Sequence, residues 1–297
     1  MKEKDINSLN HTTWRCQYHM DQRILCWERI EDFRDFLHQQ EKSPATVEKY
    51  LRDVRAFLRF SGERPVTKEL VMAYKHCCME RYAVRSVNSM LAAVNALLQF
   101  LGWGECRVKS LRLQRESYCS EERELTKGEY LRLLEAARQD EQLYLVLQTI
   151  CGTGIRVSEL TYFTWERVRA GTITVRCKNK IRTILLPRKL RSLLLKYGEK
   201  QGIHAGQIFR NSHGSALSCC QIWRKMKALC SRARVKAGKV FHHNLRKLFA
   251  RTFYKAQRDI AKLADVLGHS SIDTTRIYIM TTGREHRRQM DRLGLVV

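Results

Sequence analysis

The sequence is short of the residues that interrupt helices. It has only 3 prolines and 15 glycines in 297 residues, which predicts a helix-rich chain with few elaborate loops. No apolar run approaches the ~18 residues that a membrane-spanning helix needs, so a span is excluded. The first residues are polar and lack the apolar centre of a signal peptide. Cysteine is present at 11 positions, but in no functional pattern: there is no Cys-x-x-Cys and no Cys/His cluster with zinc spacing. An odd count with two adjacent pairs, Cys77–Cys78 and Cys219–Cys220, reads as reduced thiols in a cytoplasmic protein.

Acidic side chains are scarce in one half only. Residues 1–166 carry 25 basic and 24 acidic side chains, whereas residues 167–297 carry 30 basic and 6 acidic. A globular half with that imbalance repels itself, and a polyanionic partner is the simplest compensation. Nucleic acid is the first choice, because phosphate contact releases condensed counterions. A membrane surface fits less well, since the charges are not gathered on one amphipathic helix. With 44% hydrophobic residues, the chain has the material for a buried core.

Residues 1–20 have no periodicity and read as a flexible tail. Ile24, Leu25, Ile30, Phe33, Phe36 and Leu37 recur at helical steps, predicting a helix over 24–37. Ser43-Pro44 supplies an N-cap and first-turn proline for a second helix that ends at Gly62. Thr67 opens a third helix, and residues 84–101 form a fourth, giving a four-helix bundle over 21–111. The charged, apolar-poor stretch 112–124 (RLQRESYCSEERE) reads as a linker. Thr126 and Glu129 then have capping-box spacing, so a second domain, 125–297, starts on a helix. Residues 172–176 and 181–186 alternate as a β-hairpin around a tip at 177–180, and the remainder is helical. The expected fold class is therefore mainly α with a small β-sheet, in two domains.

Four segments could carry chemistry. In 241–251 (FHHNLRKLFAR), His243 and Arg246 lie three apart on one helix face and form an anion clamp with a proton-transfer group beside it. In 151–160 (CGTGIRVSEL), Gly152 and Gly154 break a helix and set Arg156 at a sharp turn near helix-terminal N–H groups, with Glu159 placed to orient a guanidinium. In 267–278 (LGHSSIDTTRIY), Gly268 ends a helix, His269 follows it, Ser270 and Ser271 offer caps, and Tyr278 lies nine residues on. The hairpin tip carries Lys178 and Lys180. Taken singly, each has an ordinary reading as a solvated face, a surface ion pair or a half-buried aromatic.

In order along the chain, these blocks resemble the tyrosine recombinase (phage integrase) family of site-specific DNA recombinases. TGIRVSEL (153–160) is similar to the family's first arginine block, HNLRKLFA (243–250) to its His-x-x-Arg block, and 267–278 to its Leu-Gly-His block ending at the nucleophile. The resemblance covers roughly residues 24–290, resting in the first domain on size and helix pattern alone. It implies that this domain is a core-binding DNA-binding domain and the second the catalytic domain. It also implies catalytic roles for Arg156, Lys178, His243, Arg246, His269 and the nucleophile Tyr278. The hairpin is one residue shorter than the usual Gly-Lys-Gly-x-Lys, so Lys180 stands as the alternative to Lys178. Lys247 replaces a frequent histidine, which looks like a supporting position.

The implied chemistry is cleavage and rejoining of DNA strands through a 3′-phosphotyrosine, with no metal, cofactor or ATP. The implied assembly is a homotetramer on two double-stranded DNA sites, with room for an accessory directionality protein and a mobile genetic element as the setting. Leu293, Leu295, Val296 and Val297 form an apolar tail that would dock on its own domain or on a neighbouring protomer. A same-fold DNA binder that no longer cuts and a type IB topoisomerase are the competing readings. The few residues preceding the bundle favour a simple recombinase over one reading two types of DNA site.

Overall fold

The computed structural model describes residues 23–112, 121–177, 180–280 and 283–293. The expected tail at 1–20, the linker residues 113–120, Lys178 and the tail residues Leu295 to Val297 lie outside them. The chain divides into two compact units, Met1–Arg115 and Glu116–Val297. Among the described residues, no helix is long and apolar enough to cross a membrane.

The first unit holds four helices: α1 (Trp27–Gln39), α2 (Pro44–Ser61), α3 (Lys68–Arg81) and α4 (Val84–Phe100). Helix α1 begins three residues later than its periodicity suggests, because Ile24 forms a β-bridge with Pro65 instead. Val47, Leu51, Val54, Phe57 and Leu58 bury one stripe of α2, as three- and four-residue spacing requires. Pro44 occupies its first turn, but the Ser43 hydroxyl bonds Thr46 Oγ1 at 2.8 Å rather than capping a backbone N–H. On α4, Asn88 and Asn95 lie seven apart and share a face. Each pairs through both amide atoms with the returning chain, Asn88 with the Leu111 backbone (2.8 and 2.9 Å) and Asn95 with that of Val108 (3.1 and 2.8 Å). Two side chains thus do for this segment what a neighbouring strand does in a sheet.

The second unit contains α5 (Lys127–Ala137), α6 (Glu141–Thr153), α7 (Trp165–Ala170), the hairpin β1 (Thr172–Cys177) and β2 (Lys180–Leu185), and α8 (Arg188–Lys200). It continues with α9 (Cys219–Ala233), α10 (His242–Gln257), α11 (Ile260–Leu267), α12 (Ile272–Ile279) and α13 (Gly283–Asp291). Helix α5 has both capping-box bonds, Glu129 N–H to Thr126 Oγ1 at 3.2 Å and Thr126 N–H to Glu129 Oε2 at 2.8 Å. The strands pair antiparallel with Cys177 opposite Lys180 and Val175 opposite Arg182, so the tip is two residues long rather than four. Ile173, Val175 and Ile184 are buried, while Ile181 and Leu185 face solvent, the alternation a one-sided sheet demands.

Two expectations need correcting. Gly152 stays inside α6, and only Gly154, at φ +66°, ends it. The charged run read as a linker through 124 does not extend that far: the Arg123 carbonyl accepts from Asn244 Nδ2 at 2.6 Å, and Glu124 is buried against Lys247 and Arg251 at 2.9 Å each. A buried carboxylate is tolerated there because two cations on successive turns of α10 neutralise it.

Candidate active site

The turn after α6 holds Arg156. Gly154 adopts the left-handed conformation, and a Cβ there would lie 2.3 Å from Phe249 Cδ1 on α10, so the position needs glycine on both counts. Its carbonyl accepts from Arg246 Nη1. Three residues after Arg156, Glu159 is almost fully buried and accepts from the Arg156 backbone N–H at 2.7 Å and from Arg156 Nη1 at 3.1 Å. The Arg156 guanidinium is thereby held at one end, with its side chain 37% exposed.

Arg246 is 1% exposed, an extreme for a cation. It survives burial because α6 and α11 each aim a C-terminal carbonyl at it: Gly154 O at Nη1, and Leu267 O at Nη2 at 2.7 Å. Nε, also buried, has no hydrogen-bond acceptor among the described residues. Burial, reinforced by the nearby Arg156 charge, pulls its pKa down to about 10, which leaves it a cation at neutral pH.

Gly268 ends α11 in the left-handed region and turns the chain so that His269 faces Arg246. Arg246 Nη2 lies 3.0 Å from His269 Nε2, and His269 Nδ1 lies 2.9 Å from the Thr275 hydroxyl. A guanidinium only donates, so Nε2 is the acceptor and Nδ1 carries the proton that goes to Thr275. Burial, then the Arg246, Arg156 and Arg182 charges and His243, hold the His269 pKa down to about 4. His243, at the start of α10, is likewise shifted downward by burial and by Lys247, Arg246 and His242, against an opposing pull from Glu124. Both imidazoles are neutral at neutral pH and able to take up a proton.

Tyr278, half-buried on α12, is where these groups converge. Its ring centroid lies 5.0 Å from that of His243, 4.9 Å from that of His269 and 5.8 Å from Arg246 Cζ. Three of the six expected residues thus surround a fourth, the phenol, and the Arg156 charge acts on Arg246 beside them. Lys178 lies outside the described residues; Lys180 begins β2, two residues before Arg182.

Sequence reasoning missed Arg182 and Thr275. Arg182 Nη2 donates to Glu159 Oε2 at 2.6 Å and Nη1 to the Val266 carbonyl. The signal for Arg182 was a charge that shares strand parity with the buried Ile184. Thr275 is completely buried, and its six-residue spacing from His269 offered no cue.

Two family profiles match this chain: the phage integrase family over residues 123–284, and the phage integrase N-terminal SAM-like domain over residues 30–105. The chain belongs to the phage integrase family and is a tyrosine-type recombinase, an enzyme that breaks and rejoins DNA strands in site-specific recombination. Among curated relatives, it is 28% identical to tyrosine recombinase XerA of Pyrococcus furiosus over 287 residues, spanning 93% of this chain and 98% of the relative. It is 29% identical to the XerA of Thermococcus kodakarensis over 281 residues, spanning 91% and 96%. Among solved structures, its fold is similar to a lambda integrase dimer bound to a COC′ core site, with TM-score 0.70, 19% identity, and 87% and 96% of the two chains covered. A lambda integrase tetramer bound to a Holliday junction gives TM-score 0.71 at 18% identity, with 89% and 80% covered.

Proposed function

We propose that this chain cleaves DNA with Tyr278 as the nucleophile, in a pocket built from its own residues. One observation carries the reading: the phenol sits within about one residue's breadth of two neutral imidazoles and a buried guanidinium. A phosphate seated here meets Arg156 and Arg246, which neutralise the charge that grows on its non-bridging oxygens as a fifth oxygen approaches. The Arg246 Nε that lacks an acceptor supports anion binding at this point.

In the proposed step, Tyr278 Oη attacks phosphorus, the new O–P bond replaces the P–O5′ bond, and a 3′-phosphotyrosine forms. His243 takes the phenolic proton, which its unprotonated state and its position beside the ring support. The departing O5′ needs a proton, and the hairpin lysine supplies it: Lys178 by family resemblance, with Lys180 the alternative. His269 donates to a phosphate oxygen in its other tautomer, with Nε2 protonated and Nδ1 accepting from the Thr275 hydroxyl. The covalent ester retains the energy of the broken strand, so neither ATP nor metal enters the scheme. Attack by a second 5′-hydroxyl reverses the chemistry and completes exchange.

The two units suit a core-binding and a catalytic domain, a division that the two family matches support. The likeness to a tetramer on a Holliday junction supports four protomers acting on two sites. A mobile element is the proposed setting, and sequencing the DNA that flanks the coding region checks it.

The test uses a pool of nicked duplexes with randomised centres, which lose a short fragment on cleavage and so trap the adduct. Wild-type protein should carry covalently attached DNA after denaturation, and the sequence of that DNA defines the site. Tyr278→Phe should bind the selected DNA and form no adduct. An adduct that persists in Tyr278→Phe overturns the assignment; wild type that binds without an adduct indicates a non-cutting relative.

A further inference from the structure

Arg182 ties together three pieces of chain that lie far apart in the sequence. From β2 it reaches Glu159 in the turn after α6, at 2.6 Å, and the Val266 carbonyl in the last turn of α11. Its side chain is 14% exposed and Glu159 is 3% exposed, so the pair is shielded from water. Gly268 makes room for it: a Cβ at that position would stand 2.6 Å from Arg182 Cδ and 3.0 Å from Nε. Glu159 in turn holds both the backbone N–H and the guanidinium of Arg156, while Val266 lies three residues before His269.

We propose that Arg182 is a positioning residue for strand cleavage, holding Arg156 through Glu159 and His269 through the end of α11 at fixed spacing. The proposal rests on the phosphotyrosine reading above. The physical case has two parts. Glu159 is a buried anion facing two guanidinium groups, and removing Arg182 leaves Arg156 as its remaining partner. The carboxylate then draws Arg156 inward, away from an incoming phosphate. Arg182 also fixes the strand that begins with Lys180, so a single planar group registers hairpin, arginine turn and histidine turn. A lysine at this position supplies the charge from a single nitrogen, without the two separated donor nitrogens with which Arg182 spans Glu159 and the Val266 carbonyl.

The experiment is single-turnover adduct formation on the selected nicked duplex, with wild type, Arg182→Lys, Arg182→Gln and the double variant Arg182→Gln/Glu159→Gln. Arg182→Gln should bind DNA with unchanged affinity and form adduct at least 100-fold more slowly, with Arg182→Lys between it and wild type. Removing the stranded carboxylate as well should restore part of the rate, which general loss of packing cannot do. The His269 imidazole, followed by NMR, should also titrate at higher pH in Arg182→Gln. His269, which faces Arg246, Arg156, Arg182 and His243, loses one of the cations that hold it neutral. If Arg182→Gln fails to fold, Arg182→Lys carries the test, and a rate at least 10-fold below wild type is expected. Adduct formation by either folded variant at the wild-type rate overturns the proposal alone. No adduct from wild type overturns it together with the reading beneath it.

Discussion

Replacing Gly154 with alanine should damage stability and cleavage together, and the size of the loss follows from two separable costs. At φ +66° an L-residue incurs ~1–2 kcal/mol from its Cβ against the backbone. The new methyl also lands 2.3 and 2.5 Å from two ring carbons of Phe249, and forced overpacking of that kind costs ~1–3 kcal/mol. The sum is about 2–5 kcal/mol for the second unit. Gly202 provides the control, because it has φ +60° and nothing within 4 Å of its would-be Cβ. Gly202→Ala should therefore incur only the backbone part. Urea unfolding with matched slopes reads both losses. Because the Gly154 carbonyl holds Arg246 Nη1, Gly154→Ala should also slow adduct formation, which Gly202→Ala should leave alone. If Gly154→Ala loses no more stability than Gly202→Ala, the ring contact contributes nothing and the account of the turn is wrong.

Three further outcomes follow from the same geometry. With its folded pKa at about 4, below the ordinary histidine value, His269 adds stability that is complete above pH ~6.5 and is lost as pH falls towards 4; solvent screening limits it to about 1 kcal/mol. Urea midpoints at pH 7.5 and 5 should therefore drop less in His269→Asn than in wild type, and equal drops would contradict the neutral state assigned to it. Thr275→Val strands the His269 Nδ1 proton at a cost of ~1–3 kcal/mol and should slow cleavage, while Thr275→Ser should behave as wild type; indistinguishable Val and Ser variants would refute the role. Leu97→Ala, at a fully buried position of α4, should destabilise the first unit by ~2–5 kcal/mol, read by its thermal melt.

The helices were legible because their causes are local. Val47 to Leu58 keep one face, Thr126 and Glu129 cap each other, and Gly154, Gly202 and Gly268 end helices where the left-handed region is needed. The three chemical blocks were legible because residue type and order survive in the linear sequence. Glu124 was not: surrounded by charge, it reads as linker, and only Lys247 and Arg251, more than a hundred residues away, make it an interior residue. Arg182 shares its parity with the buried Ile184, but its significance depends on the register that sets it across from Val175. Thr275 carries no charge and no motif. What escaped sequence reasoning was the layer that holds the reactive groups, because its partners come from other elements.

The phenol rides on the weaker part of its domain. Tyr278 and Ile279 pack on a small cluster centred on Ala250, Leu263 and Leu267, apart from the large core that α5 to α9 share. Thr275 is the only fully buried residue of α12. A segment anchored so lightly opens at a fraction of the free energy needed to unfold the domain. Its amides should exchange with solvent well before those of α6, and a phosphate held by Arg156 and Arg246, as proposed, should slow that exchange.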